Sequence, residues 1–216
     1  MSTSPLLLLA LDTSTSTASV AVYDGERVLS ETNWQAGREH SSRLLVEAHS
    51  ALERVGRTPS HLTGLVVARG PGSFTGVRVG LSVAKGIAAA LHVPAWGVST
   101  LDVVAQAATG SSLPVCALVE AGRGRYATAL YRAGACVEAP RLATLAGVVS
   151  AVAEPTLFIG EIDAAARAQL SAHAQVSLAS PAACLRRGGF VAELGWRQAA
   201  NGEAGDARQL DALYVS

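Results

Sequence analysis

Apolar and polar residues fall into blocks of two periods along this chain. Residues 6–11 form a continuous apolar run, the pattern of a strand covered on both faces. Residues 18–23 and 28–32 read as two further strands. The Asp24-Gly25 pair between them suits a two-residue type I′ turn, because both residues tolerate positive φ. From about residue 42 to 55 the period becomes helical, with Leu44, Leu45, Ala48, Leu52 and Val55 on one face and Gly56 placed to end the helix. Residues 62–68 predict a fourth strand, 75–91 a second helix, 94–98 a fifth strand and 101–108 a short third helix.

A small polar stretch, Thr109-Gly110-Ser111-Ser112, then reads as a linker. Beyond it the order returns in reduced form. Residues 115–120 predict a strand, and 126–131 with 136–138 a hairpin around Ala133-Gly134. Helices are expected over 142–153 and 163–172, with strands at 156–159 and 176–178. Residues 182–200 read as mostly helical, with Gly188-Gly189 as a break. The order strand-strand-strand-helix-strand-helix-strand therefore occurs twice. The fold expected is α/β, a duplicated actin-like, ribonuclease-H-like arrangement of two βββαβαβ lobes with the second reduced. The alternatives are two unrelated α/β domains or one larger mixed sheet. The expected division is 1–108 and 109–216, with the final helix packing back on the first lobe.

Composition narrows the function classes. Half of the 216 residues are hydrophobic and 16% are charged, enough to fill a core and sparse for covering a surface. Lysine plus arginine balances aspartate plus glutamate at 17 each, which disfavours an autonomous nucleic-acid binder. The run at 6–11 has no basic residues before it and falls far short of the roughly 20 apolar residues of a membrane span, so no membrane role is expected. The three cysteines, Cys116, Cys136 and Cys184, are scattered and fit free thiols in a reducing cytoplasm.

The sharpest local feature is Gly70-Pro71-Gly72-Ser73-Phe74-Thr75-Gly76 at a strand-to-helix turn. It is either an anion cradle at a helix N-terminus or a tight turn whose glycines allow close packing. It lacks the Gly-Lys-Ser/Thr of a phosphate-binding loop and the glycine spacing of a dinucleotide fingerprint. In the following helix, Gly76, Gly80, Ala84 and Ala88 form a row of small residues, flanked by Val79, Val83, Ile87 and Leu91 and by Val77 and Leu81, with Arg78 and Lys85 the only charges. A helix apolar nearly all round needs cover on more than one side, from the chain's own first helix or from a partner. Asp12-Thr13-Ser14-Thr15 follows the first strand, where actin-like ATPases hold metal-nucleotide; it is either such a site or a local turn. Asp12, Thr13, Ser14 and Gly72 are thus candidate nucleotide-binding residues. The five histidines, His40, His49, His61, His92 and His173, offer no helical pair for a metal, and no nucleophile motif is visible. No catalytic residue, metal or cofactor is expected.

The opening LLLLALDTSTSTASVAVYDG, the helix HSSRLLVEAHSALE and above all GLVVARGPGSFTGVRVGLSVAKGIAAALHVPAWGVSTLD resemble the TsaB (YeaZ-type) family over residues 6–105. The resemblance implies the duplicated actin-like fold and a non-catalytic subunit of tRNA threonylcarbamoyladenosine biosynthesis. Such a subunit pairs with the related transferase TsaD, and with itself, through its first two long helices. TsaE joins that assembly, tRNA is met only through the complex, and the setting is cytoplasmic. The interface residues expected here are Leu44, Leu45, Ala48, Leu52, Gly76, Val77, Arg78, Gly80, Leu81 and Ala84. The alternative function is a stand-alone actin-like ATP-dependent kinase or hydrolase. Two stretches depart from the family pattern. Glu120-Ala121-Gly122-Arg123 stands where the family has Asp-Ala-Arg, and the chain ends on Tyr214-Val215-Ser216 where the family often shows Pro-x-Tyr-x-Arg.

Overall fold

The computed structural model describes residues 6–36 and 40–215, without side-chain detail at 40–42; Ser216, the last residue of the divergent terminus, lies outside the described residues. Two five-stranded sheets carry the chain. The first has the order β3-β2-β1-β4-β5, built from β1 (Leu8–Asp12), β2 (Thr17–Tyr23), β3 (Val28–Gln35), β4 (Gly64–Ala68) and β5 (Ala95–Val98). The second has the order β8-β7-β6-β9-β10, from β6 (Val115–Glu120), β7 (Arg125–Arg132), β8 (Ala135–Thr144), β9 (Thr156–Gly160) and β10 (Val176–Leu178). Strand for strand these are the same sheet. In each the first three strands meander antiparallel and the last two join in parallel through helical crossovers. The fold is the duplicated actin-like βββαβαβ arrangement.

Contacts divide the chain into two compact units. One is the chain up to Ser99 together with Arg187–Leu213; the other is Thr100–Arg186. In the first unit, α1 (His40–Glu53) and α2 (Phe74–Leu91) cover one face of the sheet and α6 (Gly188–Ala200) the other. This accounts for β1 and β4, each buried at every position. Strand alternation sorts their side chains: Leu9, Leu11, Val20, Val22, Leu65 and Val67 pack under α1 and α2. Residues on the opposite face meet α6, where an added Cβ at Gly188 would lie 3.0 Å from the Ala21 Cβ and one at Gly195 2.3 Å from the Val66 methyls. These two glycines let α6 lie close on the sheet. Gly188-Gly189 forms the first turn of the helix, so the helical segment begins there rather than near 182. The carboxylate of Glu31 receives Gly189 N at 3.1 Å and the Arg187 guanidinium, anchoring that end.

In the second unit α3 (Thr100–Gln106) packs on β6, β7 and β9, while α4 (Leu145–Ser150) and α5 (Ala164–Ser171) cover the opposite face. The helix at 100–106 thus belongs with the second sheet. The buried Tyr131 hydroxyl donates to Asp102 Oδ1 at 2.7 Å and ties α3 to β7; burial, then the Asp102 charge, pushes that phenol up. Cys116 lies buried between strand and helix, and burial raises its thiol to about 11, so it stays protonated. Two local expectations change. The helix expected over 142–153 starts only at Leu145, because residues up to Thr144 pair with β7; Thr144 then caps the helix, its Oγ1 accepting from Gly147 N at 3.2 Å. The two-residue turn with positive φ at both positions sits at Ala133-Gly134 (φ 48° and 78°). At the first hairpin only Gly25 has positive φ. Asp24 Oδ1 there accepts from Glu26 N and Arg27 N, making a four-residue loop.

The approach of α6 to the sheet makes Gly195 intolerant of bulk. Gly195→Val should lower stability by about 1–3 kcal/mol, the range for an overpacked core, read as a fall in the urea midpoint with unchanged slope.

Candidate docking site

The loop Asp12-Thr13-Ser14-Thr15 leaves the end of β1 and is buried throughout. Asp12 Oδ1 accepts from Ser14 N at 2.8 Å and Ser14 Oγ at 2.5 Å, an Asx-type turn. Thr13 Oγ1 donates to Gly76 O at 2.7 Å, and Ser73 N donates to Ser14 O at 2.6 Å. The loop is therefore held on the first turns of α2. Glycine is required at that contact. An added Cβ would stand 2.1 Å from Ser14 O at Gly72, 2.1 Å from Thr13 O at Gly76 and 2.6 Å from Thr13 Oγ1 at Gly80. The small-residue row of α2 has its neighbour within the chain, and that neighbour is a loop.

Of the candidate nucleotide-binding residues, Asp12, Thr13, Ser14 and Gly72 do come together. Their polar groups bond to one another and to the start of α2, and the volume a phosphate would take beside Gly72 and Gly76 holds the loop backbone. The counterpart turn of the second unit is exposed and bends through Gly122, Arg123 and Gly124, all at positive φ (73°, 55° and 68°). It is steadied by Glu161, whose carboxylate accepts from Glu120 N at 2.8 Å and faces the buried Arg186 at 3.4 Å. Among the described residues no three His, Cys, Asp or Glu side chains cluster to hold a metal.

The expected interface residues are sorted by burial. Leu44, Ala48, Leu52, Gly76, Val77, Gly80, Leu81 and Ala84 are buried in the first unit's own core, facing the sheet or the 12–15 loop. Their side chains pack inside the unit. Leu45 (51% exposed) and Arg78 face outward. So do residues that the expectation omitted: Val46 (62% exposed) and Phe74 (56% exposed). The half-buried Val79 and Val83 join Phe74, Thr75, Arg78 and Ser82 around a shallow groove on α2. The signal for them was present as the Val79, Val83, Ile87 row beside the small row. The Arg78 guanidinium lies 3.6 Å over the Phe74 ring. By length and composition α2 could cross a membrane, but its buried side packs on β4 and its ends are set by the Ser73 cap and by His92 in the left-handed conformation. Leu45, Val46 and Phe74 thus leave apolar side chains exposed on the outer side of two packed helices; Val28, Val137, Leu185 and Tyr214 are exposed elsewhere.

Two glycines of one helix should respond oppositely to the same added methyl. Gly76→Ala meets the Thr13 carbonyl and should cost about 1–3 kcal/mol. Gly86→Ala enters open space and should gain about 0.4–1 kcal/mol through a stiffer unfolded chain. Thermal midpoints moving in opposite directions would match this packing; equal shifts would contradict it.

Residues 34–139 match the family described as TsaD, tRNA N6-adenosine threonylcarbamoyltransferase. The tRNA threonylcarbamoyladenosine biosynthesis protein TsaB of Bacillus subtilis is 35% identical over 127 residues, 59% of this chain and 56% of that protein. The TsaB of Haemophilus influenzae is 44% identical over 104 residues, 48% of this chain and 43% of that protein. The chain spans about half the length of the curated relatives it matches. Among solved structures, YeaZ from Pseudomonas aeruginosa superposes with a TM-score of 0.77 at 28% identity, over 97% of this chain and 100% of that one. The family match runs from the end of β3 into β8 and the YeaZ match through both sheets, so the chain is similar to TsaB (YeaZ-type) proteins in sequence over about half its length and in fold throughout.

Proposed function

We propose that this chain is a non-catalytic subunit of tRNA threonylcarbamoyladenosine biosynthesis that docks on a TsaD-type transferase through the outer side of α1 and α2. One observation carries the reading: Gly72, Gly76 and Gly80 pack on the chain's own 12–15 loop, while the same two helices expose Leu45, Val46, Phe74 and Arg78. Asp12, Thr13 and Ser14 hydrogen-bond within that loop and to Gly76, which favours a scaffold role over a stand-alone ATP-dependent kinase or hydrolase. Names of relatives supply the pathway, the biosynthesis of threonylcarbamoyladenosine in tRNA.

The partner follows from the same logic. A TsaD-type protein is related in sequence to residues 34–139, a stretch that includes both helices. Proteins that share such a helix pair can pack it face to face in a pseudo-twofold manner. Self-pairing through the same face is part of this reading, as are a TsaE-type ATPase joining the assembly, tRNA contact only through the complex, and a cytoplasmic setting. The zero net charge agrees with leaving tRNA contact to the partner.

The test is association with a TsaD-type protein, read as mass by light scattering after size exclusion. The wild-type chain should give a species at the summed mass. Leu45→Asp and Ser82→Asp each put a carboxylate on the outer face at an exposed position outside the core. Each should weaken association about a hundredfold or more, as for a hot-spot residue, with the thermal midpoint little changed. Unaltered association of both variants would remove α1 and α2 as the docking surface.

A further inference from the structure

Burying the α1–α2 face raises a question of charge, and its answer rests on the reading just given. Across the exposed side of α2 the residues are Phe74, Arg78, Val79, Ser82 and Val83, and Arg78 is the single charge among them. Arg43 and Lys85, the other described arginine and lysine of α1 and α2, and Arg54 just after α1 are matched within the chain. Arg43 meets Glu47 at 3.1 Å, Arg54 bonds Thr32 at 2.8 Å and lies 3.9 Å from Glu47, and Lys85 lies 3.7 Å from Asp211. No carboxylate among the described residues makes an ion pair with Arg78. Its guanidinium carbon lies 3.6 Å from the centre of the Phe74 ring, a cation–π contact that engages the π-face and spends none of the five N–H donors on an acceptor.

A guanidinium does not lose its proton at any working pH, so removal from water must be offset by a charge or by several acceptors. We propose that Arg78, held on Phe74, is the charged anchor of the docking face, and that it is met by an aspartate or glutamate set among apolar residues on a helix of the transferase-type partner. Stacking lowers the entropy lost when the guanidinium forms a paired hydrogen bond, and a carboxylate is the acceptor that matches its fork. Arginine over an aromatic ring within an apolar rim is also the composition of an interface hot spot. The same lone cation sets partner choice, since a surface that is apolar but lacks the acid leaves Arg78 buried and unpaired. Among the described residues of α1 the carboxylates are Glu47, which meets Arg43, and Glu53, which faces His49 at 3.3 Å, so a second copy of this chain is the less suited source of the acid.

The experiment is isothermal titration of the full chain with a TsaD-type protein, using the wild type, Arg78→Met, Arg78→Lys, Arg78→Glu and Leu45→Asp. Arg78 and Leu45 are exposed, so these variants should keep the wild-type thermal midpoint. Arg78→Met, which keeps the stem and removes the charge, should weaken binding about a hundredfold, as for a hot-spot residue, and flatten its salt dependence. Arg78→Lys should recover part of the loss. Arg78→Glu should bind more weakly still, and reversal of one acidic residue on the partner to lysine should restore it. If Arg78→Met binds like the wild type while Leu45→Asp does not, the anchor is refuted and the docking face stands. If neither variant changes binding, the docking face itself is refuted. If Arg78→Met alters only self-association of this chain, the acid belongs to a second copy and the proposed partner chemistry is wrong.

Discussion

Thr13 and Ser14 lie against the backbone of α2 at a distance that leaves no room for a side chain, and the rest of the first unit is arranged around that contact. Three glycines one helical turn apart make it available, and a buried hydroxyl-to-carbonyl bond fixes its register. Once the loop is seated, α2 has a fixed start above the end of β1. Its inner residues Val77, Leu81 and Ala84 then fall on the sheet beside those of α1. What the loop and sheet do not cover is an outer strip of both helices. The same packing thus determines which side chains of the two helices stay exposed.

Much of this was legible in the chain. Blocks of period two and period 3.6 gave the strands and helices in order, and repetition of that order gave the duplicated fold. Where the reading slipped, a non-local partner had decided the outcome. Residues 142–144 suit either a helix or a strand, and pairing with β7 selects the strand. Asp24-Gly25 has the letters of a tight hairpin, yet the Asp24 carboxylate binds two backbone amides and opens the loop.

The docking face shows the limit most directly. Sequence spacing identifies α2 as apolar nearly all round, and such a helix has no unique inside. Small residues permit close contacts on whichever side they face, with the chain's own elements or with a partner; here the row faces inward, because a loop sixty residues earlier needs the space beside Gly76 and Gly80. Leu45 and Val46 lie outside the stripe of Leu44, Ala48, Ala51 and Leu52 that the sheet selects. No local pattern carries that choice, since it depends on where the sheet lies. Family likeness named a pair of helices and left their faces open.

The most direct measurement is hydroxyl-radical footprinting of side chains with and without a TsaD-type protein at a concentration where the two associate. The account predicts that Phe74, Leu45 and Val46, exposed in the free chain, lose most of their labelling in the mixture, while Val137 on β8 and Tyr214 keep theirs. Unchanged labelling at Phe74 and Leu45 in a mixture that has formed the complex would contradict it, and protection at Val137 or Tyr214 in their place would move the docking surface away from α1 and α2.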